Sequence, residues 1–157
     1  MALRQIRYDG DDILRKRCKE VKAMNDRTRT LIGDMFDTMY DANGVGLAAP
    51  QVGVLKRIVV INVDDETPYV LVNPVLLEQD GEQIGDEGCL SLPGKVAEVP
   101  RPEHVICRYY DENMKENTIE ADGLLARAIC HELDHLEGVL YKDLAVGPLR
   151  EVEYEDE

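Results

Sequence analysis

A short motif with two histidines carries the strongest chemical signal in the sequence. His131 and His135 are four residues apart, so a helix would place both imidazoles on one face, one turn from each other. Both rings can therefore reach a single metal ion. Glu132 lies about 100° around the same axis, where its carboxylate can reach a metal-bound water without ligating the metal. This combination is typical of metal-assisted hydrolysis.

The same motif also has an ordinary interpretation, because short H-E-x-x-H strings occur by chance and buried histidines often only satisfy hydrogen bonds in a core. The surrounding residues favour the metal. The segment from about 123 to 137 is apolar on most of its surface, which predicts a buried helix. Buried Glu and His side chains are costly without a partner, and a metal supplies one.

The third metal ligand distinguishes the possible classes of hydrolase. Zinc proteases with this motif usually take it from downstream, either as the last histidine of H-E-x-x-H-x-x-G-x-x-H or as a glutamate on a later helix. This chain keeps the glycine at Gly138 but has Tyr141 where that histidine would stand. A downstream glutamate would have to come from the short acidic tail. We therefore expect the third ligand from upstream, where His104 and the cysteines are the candidates.

Cys89 is the cysteine best placed to bind a metal. It lies in the segment 87–94, Glu-Gly-Cys-Leu-Ser-Leu-Pro-Gly, which predicts a tight loop presenting a thiolate and its neighbouring backbone amides. The remaining cysteines are expected to be core or surface thiols: Cys18, Cys107 and, as a buried core thiol, Cys130. His104 opens a predicted strand and is expected at the surface. No C-x-x-C pair is present, which argues against a ribbon-type zinc site.

Two helices and several strands must position these side chains. Apolar residues at helical spacing predict a first helix from about 27 to 42, capped by Asn25 or Asp26 and ended at Asn43-Gly44. Strands are expected at 57–63, 69–78, 104–110 and 117–121. Because helices and strands do not alternate, the pattern favours an α+β fold. We expect antiparallel β-sheets surrounding a central metal-binding helix, with the N-terminal helix packed outside.

The bulk composition restricts the remaining possibilities. A chain of 157 residues suits a single domain, here 1–157 with a short acidic tail from about 150. The net charge of -14 argues against binding to nucleic acid or to an anionic membrane. The last seven residues hold five acids and no base, which predicts a frayed, solvated end. Without a transmembrane run or a signal peptide, we expect a cytoplasmic protein with reduced cysteines. A single compact domain suggests a monomer.

Three segments together resemble the peptide deformylase family. They are 44–53 (Gly-Val-Gly-Leu-Ala-Ala-Pro-Gln-Val-Gly), 87–91 (Glu-Gly-Cys-Leu-Ser) and 131–138 (His-Glu-Leu-Asp-His-Leu-Glu-Gly). They stand in the family's order and at about its spacing, and the similarity extends from about Ile6 to Leu144. The resemblance implies a metal-dependent hydrolase that removes the formyl group from the N-terminal formyl-methionine of newly synthesised proteins and releases formate.

The resemblance also assigns roles in the reaction. The metal ligands would be Cys89, His131 and His135, which leaves the fourth tetrahedral position open for water. Glu132 would be the general base for that water and then the acid that protonates the departing amine. Gln51 and the backbone N–H of Leu90 would stabilise the oxyanion. Without the family, Gln51 is more simply a loop glutamine that faces water.

Substrate binding is implied for a further group of residues. The family binds its peptide as an added strand, so that main-chain hydrogen bonds recognise it without regard to sequence. The expected substrate contacts are Gly44, Val45, Gly46, Glu87, Gly88, Leu124 and Ala128. Val45, Leu124 and Ala128 would form the methionine pocket with the helix face around His131; as bare sequence they indicate ordinary core. Glu87 and Arg101 match a family pair that braces the metal loop, although alone each indicates a solvated charge.

The family implies Fe2+ as the physiological metal, with Zn2+, Ni2+ or Co2+ able to substitute; the ligand set alone would suggest zinc. The expected partners are N-formylmethionyl nascent peptides. Many relatives continue into a long basic C-terminal helix that helps them reach the ribosome, whereas an acidic tail should be repelled by ribosomal RNA. We therefore expect ribosome proximity to be transient, without a docking tail. Cys130 also replaces a common Gln, a departure not expected to abolish activity.

Three other readings of the sequence lead to different experiments. A metallopeptidase using the same helix would cleave unformylated peptide bonds and stay active without Cys89. A catalytically silent relative would bind metal or peptide only, although Glu132 and Gln51 argue against it. A hydrolase with Cys89 as nucleophile would resist a chelator, because it needs no metal.

Overall fold

Two antiparallel sheets and two α-helices make up the regular structure of residues 2–152, the part of the chain that the computed structural model describes. The helices are α1, Asp26–Asp41, and α2, Gly123–Leu136. The first sheet has the order β1-β2-β3-β6-β7 and contains β1 (Gly46–Ala48), β2 (Ile58–Ile61), β3 (Tyr69–Asp80), β6 (His104–Tyr110) and β7 (Glu116–Asp122). The second has the order β4-β5-β8 and contains β4 (Gln83–Cys89), β5 (Leu92–Arg101) and β8 (Arg150–Glu151). The predicted mixture of helices and antiparallel sheets is confirmed.

Strand β2 explains how the two helices share the first sheet. All four of its residues are buried, and successive side chains of a strand point to opposite faces. Ile58 and Val60 pack in the cluster that contains the apolar face of α1, whereas Val59 and Ile61 pack in the cluster that contains α2. The first sheet therefore lies between α1 and α2, and each face of β2 anchors one helix.

Helix α1 begins and ends where the sequence predicts. The Asn25 side chain accepts a hydrogen bond from the N–H of Thr28 at 2.8 Å, which caps the first turn. After the helix, Asn43 adopts a left-handed φ of 58°, and the N–H of Gly44 donates to the carbonyl of Met39 at 2.9 Å. The chain can then turn directly into β1.

Helix α2 ends at a position that requires glycine. Gly138 has a φ of 77°, and a Cβ there would lie 2.5 Å from the carbonyl oxygen of Arg15.

On the sheet side, α2 buries Ala126, Ile129 and Cys130 against the first sheet. The buried residues His131, Glu132 and His135 lie further along the same helix. The helix is therefore held rigidly on its apolar side while it presents polar groups elsewhere.

The expectation that the segment 87–94 forms a tight loop is wrong. It forms the tip of the β4–β5 hairpin, in which Cys89 pairs with Leu92 and only two residues connect the strands. Gly and Pro suggested a loop, but both are compatible with a strand at a bulge or an edge. The register shifts between Glu87 and Cys89, at Gly88. Cys89 is thus fixed by strand pairing.

The first residues of the acidic tail are more ordered than predicted. Arg150 and Glu151 form β8, which pairs with β5 at Val96 and Lys95. The Lys95 ammonium donates a hydrogen bond to the Glu151 carboxylate at 3.0 Å, which forms an ion pair. The expectation of a frayed end, made for the last seven residues, is wrong for Glu151, because backbone pairing and an ion pair hold it; residues 153–157 lie outside the described part. No helix within 2–152 is long and apolar enough to span a membrane.

Candidate active site

Three potential metal ligands converge from two elements. Helix α2 supplies His131 and His135, and the tip of the β4–β5 hairpin supplies Cys89. The Nε2 atoms of the histidines are 3.2 Å apart, and the Cys89 Sγ is 3.3 Å from the His135 Nε2. The three ligand atoms all lie within 4.8 Å of one another. This is the arrangement expected from the spacing of the motif plus an upstream thiol.

The donor set fits a divalent transition metal. Tetrahedral bonds of about 2.0–2.3 Å to nitrogen and sulfur place ligand atoms about 3.3–3.6 Å apart, close to the distances found here. Within residues 2–152, the buried Glu132 Oε1, which lies beside the ligand atoms, has no hydrogen-bond partner. Sulfur and imidazole donors suit iron, zinc, nickel or cobalt better than magnesium or calcium. The residues present therefore fit the metal that the resemblance implies.

Glu132 is buried beside this cluster. Its Oε1 lies 3.9 Å from the Nε2 of His135, and only 4% of the residue is exposed. Burial disfavours the charged carboxylate and raises the pKa of Glu132 to about 7. The nearby His131 acts in the opposite direction, but its effect on this pKa is smaller. A carboxyl group that titrates near neutrality can accept and return a proton at low cost.

A buried charge network orients His131. Glu87 Oε1 is 2.5 Å from His131 Nδ1. Arg101 donates to both oxygens of Glu87, at 2.6 and 3.0 Å, and also to Asp134 at 2.6 Å. Arg127 donates to Glu87 at 2.7 Å. Because the carboxylate engages Nδ1, the Nε2 of His131 is left to face the other ligands.

The network also sets the charges of its members. Burial alone would raise the pKa of Glu87, but hydrogen bonds from His131 and Arg101 outweigh it and lower the pKa to about 2. Burial alone would lower the pKa of Arg101, and Glu87 and Asp134 instead raise it. The pKa of His135 lies well below its ordinary value because burial disfavours the charged ring. Burial of His135 thus favours the neutral ring, which is the form that binds a metal.

The Glu87–Arg101 pair is therefore present as the resemblance implied, and its reading as two solvated charges is wrong. Both residues are only 5% exposed. Arg127 and Asp134 were not predicted as members, although both lie on the motif helix. Tyr141 was also missed: its ring stacks on His131 at a centroid distance of 6.0 Å.

Gln51 is held from both ends of its amide. It lies in a 3-10 helix, Ala49–Val52, and is 1% exposed, so its reading as a solvated loop residue is wrong. The N–H of Ala48 donates to its Oε1 at 2.9 Å. Its Nε2 donates to Ser91 Oγ at 3.1 Å and to Cys89 Sγ at 3.4 Å. The donor end of the amide therefore faces the metal cluster.

Leu90 lies between Cys89 and Ser91 at the tip of the hairpin. Its side chain packs so closely on Gly44 that a Cβ on that glycine would lie 2.6 Å from Leu90 Cδ1. The segment from Gly44 to Gly46 and the hairpin tip are thus in contact. The absence of a Cβ at Gly44 allows this close approach, and a larger residue there would displace the Leu90 side chain.

The predicted substrate residues line one open cavity of about 570 Å³. They are Gly44, Val45, Gly46, Glu87, Gly88, Leu124 and Ala128, and Gln51, Cys89, Leu90, His131 and Glu132 line the same cavity. Val45 and Leu124 are 45% and 56% exposed, so their reading as ordinary core is wrong. The lining also includes residues with no local signal in the sequence: Ile6, Tyr8, Asn43, Asp86, Lys95 and Val152. Ile6, Tyr8 and Val152 come from distant parts of the chain, so only the fold could reveal them, whereas Asn43, Asp86 and Lys95 flank segments that the sequence analysis had singled out.

Comparisons with known proteins agree in sequence and in structure. The sequence model described as "Polypeptide deformylase" matches residues 3–150. The peptide deformylase of Agathobacter rectalis is 59% identical over 156 residues, covering 99% of this chain and 98% of that protein. The one from Lachnoclostridium phytofermentans is 56% identical over 159 residues, covering 100% and 98%.

Solved structures show the same likeness. The peptide deformylase from Legionella pneumophila superposes with a TM-score of 0.89 at 46% identity, covering 91% of this chain and 86% of that one. The one from Thermotoga maritima gives a TM-score of 0.90 at 38% identity, covering 94% and 100%. The similarity spans nearly the whole length of these relatives.

Proposed function

This chain belongs to the polypeptide deformylase family, and we propose that it removes the formyl group from N-terminal formyl-methionine with the residues that converge on α2 and the β4–β5 hairpin. One observation carries the mechanism. The ligand atoms of Cys89, His131 and His135 meet beside the buried carboxylate of Glu132, next to an open cavity of about 570 Å³ that Cys89, His131 and Glu132 line. Helix α2 is, in this proposal, the central metal-binding helix of the fold.

A divalent metal held by Cys89, His131 and His135 would polarise the formyl carbonyl and make an attacking water more acidic. We propose Fe2+ as the metal, with Zn2+, Ni2+ and Co2+ as substitutes, because one thiolate and two imidazoles accept all four.

Glu132 would transfer the proton. As a water oxygen bonds to the formyl carbon, a carboxylate oxygen of Glu132 accepts one water proton. The C–N bond then breaks, and Glu132 returns this proton to the departing amine. Formate and a free methionine N-terminus result, and the carboxylate is restored. The buried position of its carboxylate beside the three ligand atoms supports this role.

Gln51 and Leu90 would stabilise the negative charge on the formyl oxygen. The Gln51 Nε2 lies on the cluster side of its amide, 3.4 Å from Cys89 Sγ. The backbone N–H of Leu90 would be the second donor, from the residue after Cys89. Each donor of this kind typically contributes about 10²–10³ in rate.

The edge of the first sheet would bind the peptide. β1, Gly46–Ala48, is the terminal strand in the order β1-β2-β3-β6-β7, so one of its edges is not paired by this sheet. A peptide can add there as a further strand. The exposed apolar side chains of Val45 and Leu124, with Ala128, would hold the methionine.

We also infer a single functional domain over 1–157, a monomer, and a cytoplasmic location near translating ribosomes. Formyl-methionine is the first residue of a nascent chain, so the enzyme must work where such chains emerge. Ribosome contact would be transient, because the negative charge of this chain opposes binding to RNA.

Cys89 as a nucleophile is the alternative with a specific observation behind it, since its Sγ is 3.3 Å from the His135 Nε2. That pair alone would leave the convergence of His131 unexplained. A metallopeptidase would need a downstream ligand, and within residues 2–152 the ligand cluster contains none.

The test is formate release from a formyl-Met-Ala-Ser peptide by anaerobically purified, iron-loaded protein. We expect formate, its loss after treatment with a chelator, and its return with Fe2+. Formate that persists after complete metal removal would support Cys89 as the nucleophile. Cleavage of unformylated Met-Ala-Ser would favour a peptidase. No formate from protein holding one metal per chain would overturn the proposal.

A further inference from the structure

Ser91 is a buried polar residue that the proposed reaction leaves without a role. It is 0% exposed and lies two residues after Cys89 at the tip of the β4–β5 hairpin. Its Oγ accepts a hydrogen bond from the Nε2 of Gln51 at 3.1 Å. A buried hydroxyl in contact with a proposed oxyanion donor is well placed to control that donor.

The contacts of Gln51 fix which end of its amide faces the site. The backbone N–H of Ala48 can only donate, so the atom it contacts at 2.9 Å must be the carbonyl oxygen of the side chain. The NH₂ end therefore points the other way. It carries two hydrogens and has two acceptors, Ser91 Oγ at 3.1 Å and Cys89 Sγ at 3.4 Å.

The two acceptors have different consequences. The hydrogen directed at Cys89 points into the cluster where the formyl oxygen would be bound. The hydrogen directed at Ser91 points into the protein interior. We propose that Ser91 is a positioning residue: by holding one hydrogen of the Gln51 amide, it aims the other at the developing oxyanion.

Ser91 is itself held without using its hydroxyl. Its carbonyl accepts a hydrogen bond from the N–H of Asp9 at 2.8 Å, and its own N–H donates to Cys89 Sγ at 3.4 Å. The adjacent residue, Leu92, is paired with Cys89 in the hairpin. Removing only the Oγ should therefore leave the hairpin and the metal ligand in place, while the NH₂ end of the Gln51 amide loses one of its two acceptors and is held less tightly.

This inference rests on the proposed function, and a pair of variants separates the two. In iron-loaded protein, Ser91→Ala should lower kcat about 5- to 20-fold, the loss expected for one misdirected hydrogen bond, with KM changed less than about twofold. In a Gln51→Ala background, Ser91→Ala should change kcat by less than about twofold, because its effect passes through Gln51.

Two measurements exclude a merely structural effect. The visible and near-ultraviolet absorption of cobalt-substituted Ser91→Ala should match that of the parent protein, since Cys89 still ligates. Thr38→Val is the matched control: it removes another buried hydroxyl, whose Oγ1 accepts from the N–H of Arg4 at 3.0 Å, away from the site. We expect Thr38→Val to keep full kcat.

A readout without catalysis tests the inference even if no formate is released. In zinc-loaded protein, the two Gln51 side-chain amide protons, identified by their absence in Gln51→Ala, should give separate NMR signals that exchange slowly with solvent. Ser91→Ala should broaden them and speed their exchange. The proposal would be overturned if Ser91→Ala left these signals or kcat unchanged. It would also be overturned by an equal loss of kcat in the Gln51→Ala background, or by an altered cobalt spectrum. Absence of formate from the parent protein would instead count against the proposed function.

Discussion

The carboxylate of Glu132 lies against the backbone of Gly46, in the space that a Cβ atom on this glycine would occupy. Gly46 opens strand β1 and is not among the residues with a positive φ, so other residues could adopt its backbone conformation. What this position excludes is the side chain itself. The absence of a Cβ leaves room for the proposed base beside the edge strand that would bind the peptide.

Gly46→Ala should therefore impair catalysis by displacing Glu132. We expect a fall in kcat of about 10²-fold or more, within the range for loss of a general base. Gly33→Ala is the matched control. Gly33 lies in helix α1, and a Cβ at this position meets nothing within 4 Å. It should keep full activity and stabilise the protein by about 1 kcal/mol. Formate release and thermal unfolding measure both; full activity in Gly46→Ala would contradict the proposed place of Glu132.

Changes at the ligands and at the base should separate metal binding from turnover. Glu132→Ala should retain one metal per chain yet lose about 10²–10⁴ in kcat. Cys89→Ala and His135→Ala should lose most metal affinity, since each removes one of three ligands. Elemental analysis after dialysis, run beside the formate assay, distinguishes the outcomes. Wild-type turnover by Glu132→Ala would rule out its role as the base.

How much of the site could be foreseen depends on how local its geometry is. His131 and His135 could be placed from sequence because a helix fixes the relation between residues four apart. Cys89 stands 46 positions before His135, and Gln51 another 38 before Cys89. No local pattern brings them together; the glycines and proline around Cys89 made it a candidate ligand, but only the family resemblance assigned the roles of Cys89 and Gln51.

The elements of the fold also divide into those that the local sequence predicts and those that it does not. Helix α1 and strands β2, β3, β6 and β7 follow apolar periodicity, which the sequence shows directly, and they were predicted to within a few residues. The β4–β5 hairpin was missed because Gly88, Pro93 and Gly94 suggested a loop. Arg127 and Asp134 were missed because their partners, Glu87 and Arg101, reach them from the second sheet.

Neutralising Glu87 should be far more damaging than neutralising its neighbour on β4. Glu87→Gln leaves Arg101 and Arg127 as buried cations facing an uncharged amide, and breaking a buried pair in this way costs about 3–5 kcal/mol. Asp86→Asn removes a half-exposed ion pair with Arg150, which should cost about 0–1 kcal/mol. Urea unfolding of both variants measures the difference, and equal losses would show that the network does not stabilise the fold.

His104 should make stability depend on pH near neutrality. A hydrogen bond from its ring to Asp122, with a smaller contribution from Glu120, raises its pKa above the ordinary value of about 6.5. A raised pKa stabilises the folded state below the unfolded pKa, and this contribution is lost as pH rises through the folded pKa. In zinc-loaded protein, the His104 ring should titrate by NMR with a midpoint above 6.5, and Asp122→Asn should lower it. A midpoint at or below 6.5 in the parent would contradict the ion pair.

Alkylation should distinguish Cys89 from the other cysteines. Burial raises the pKa values of Cys18, Cys107 and Cys130 to about 11, so at pH 8 these thiols are protonated as well as inaccessible. Cys89 is only partly buried and lines the open cavity.

Iodoacetamide at pH 8 should therefore add one carbamidomethyl group to metal-free protein and none to zinc-loaded protein, because a metal would occupy the thiolate. Intact mass spectrometry counts the adducts, and the Cys89→Ser variant should take up none in either state. Equal labelling with and without zinc would mean that Cys89 does not hold the metal, since a coordinated thiolate cannot react at the rate of a free one.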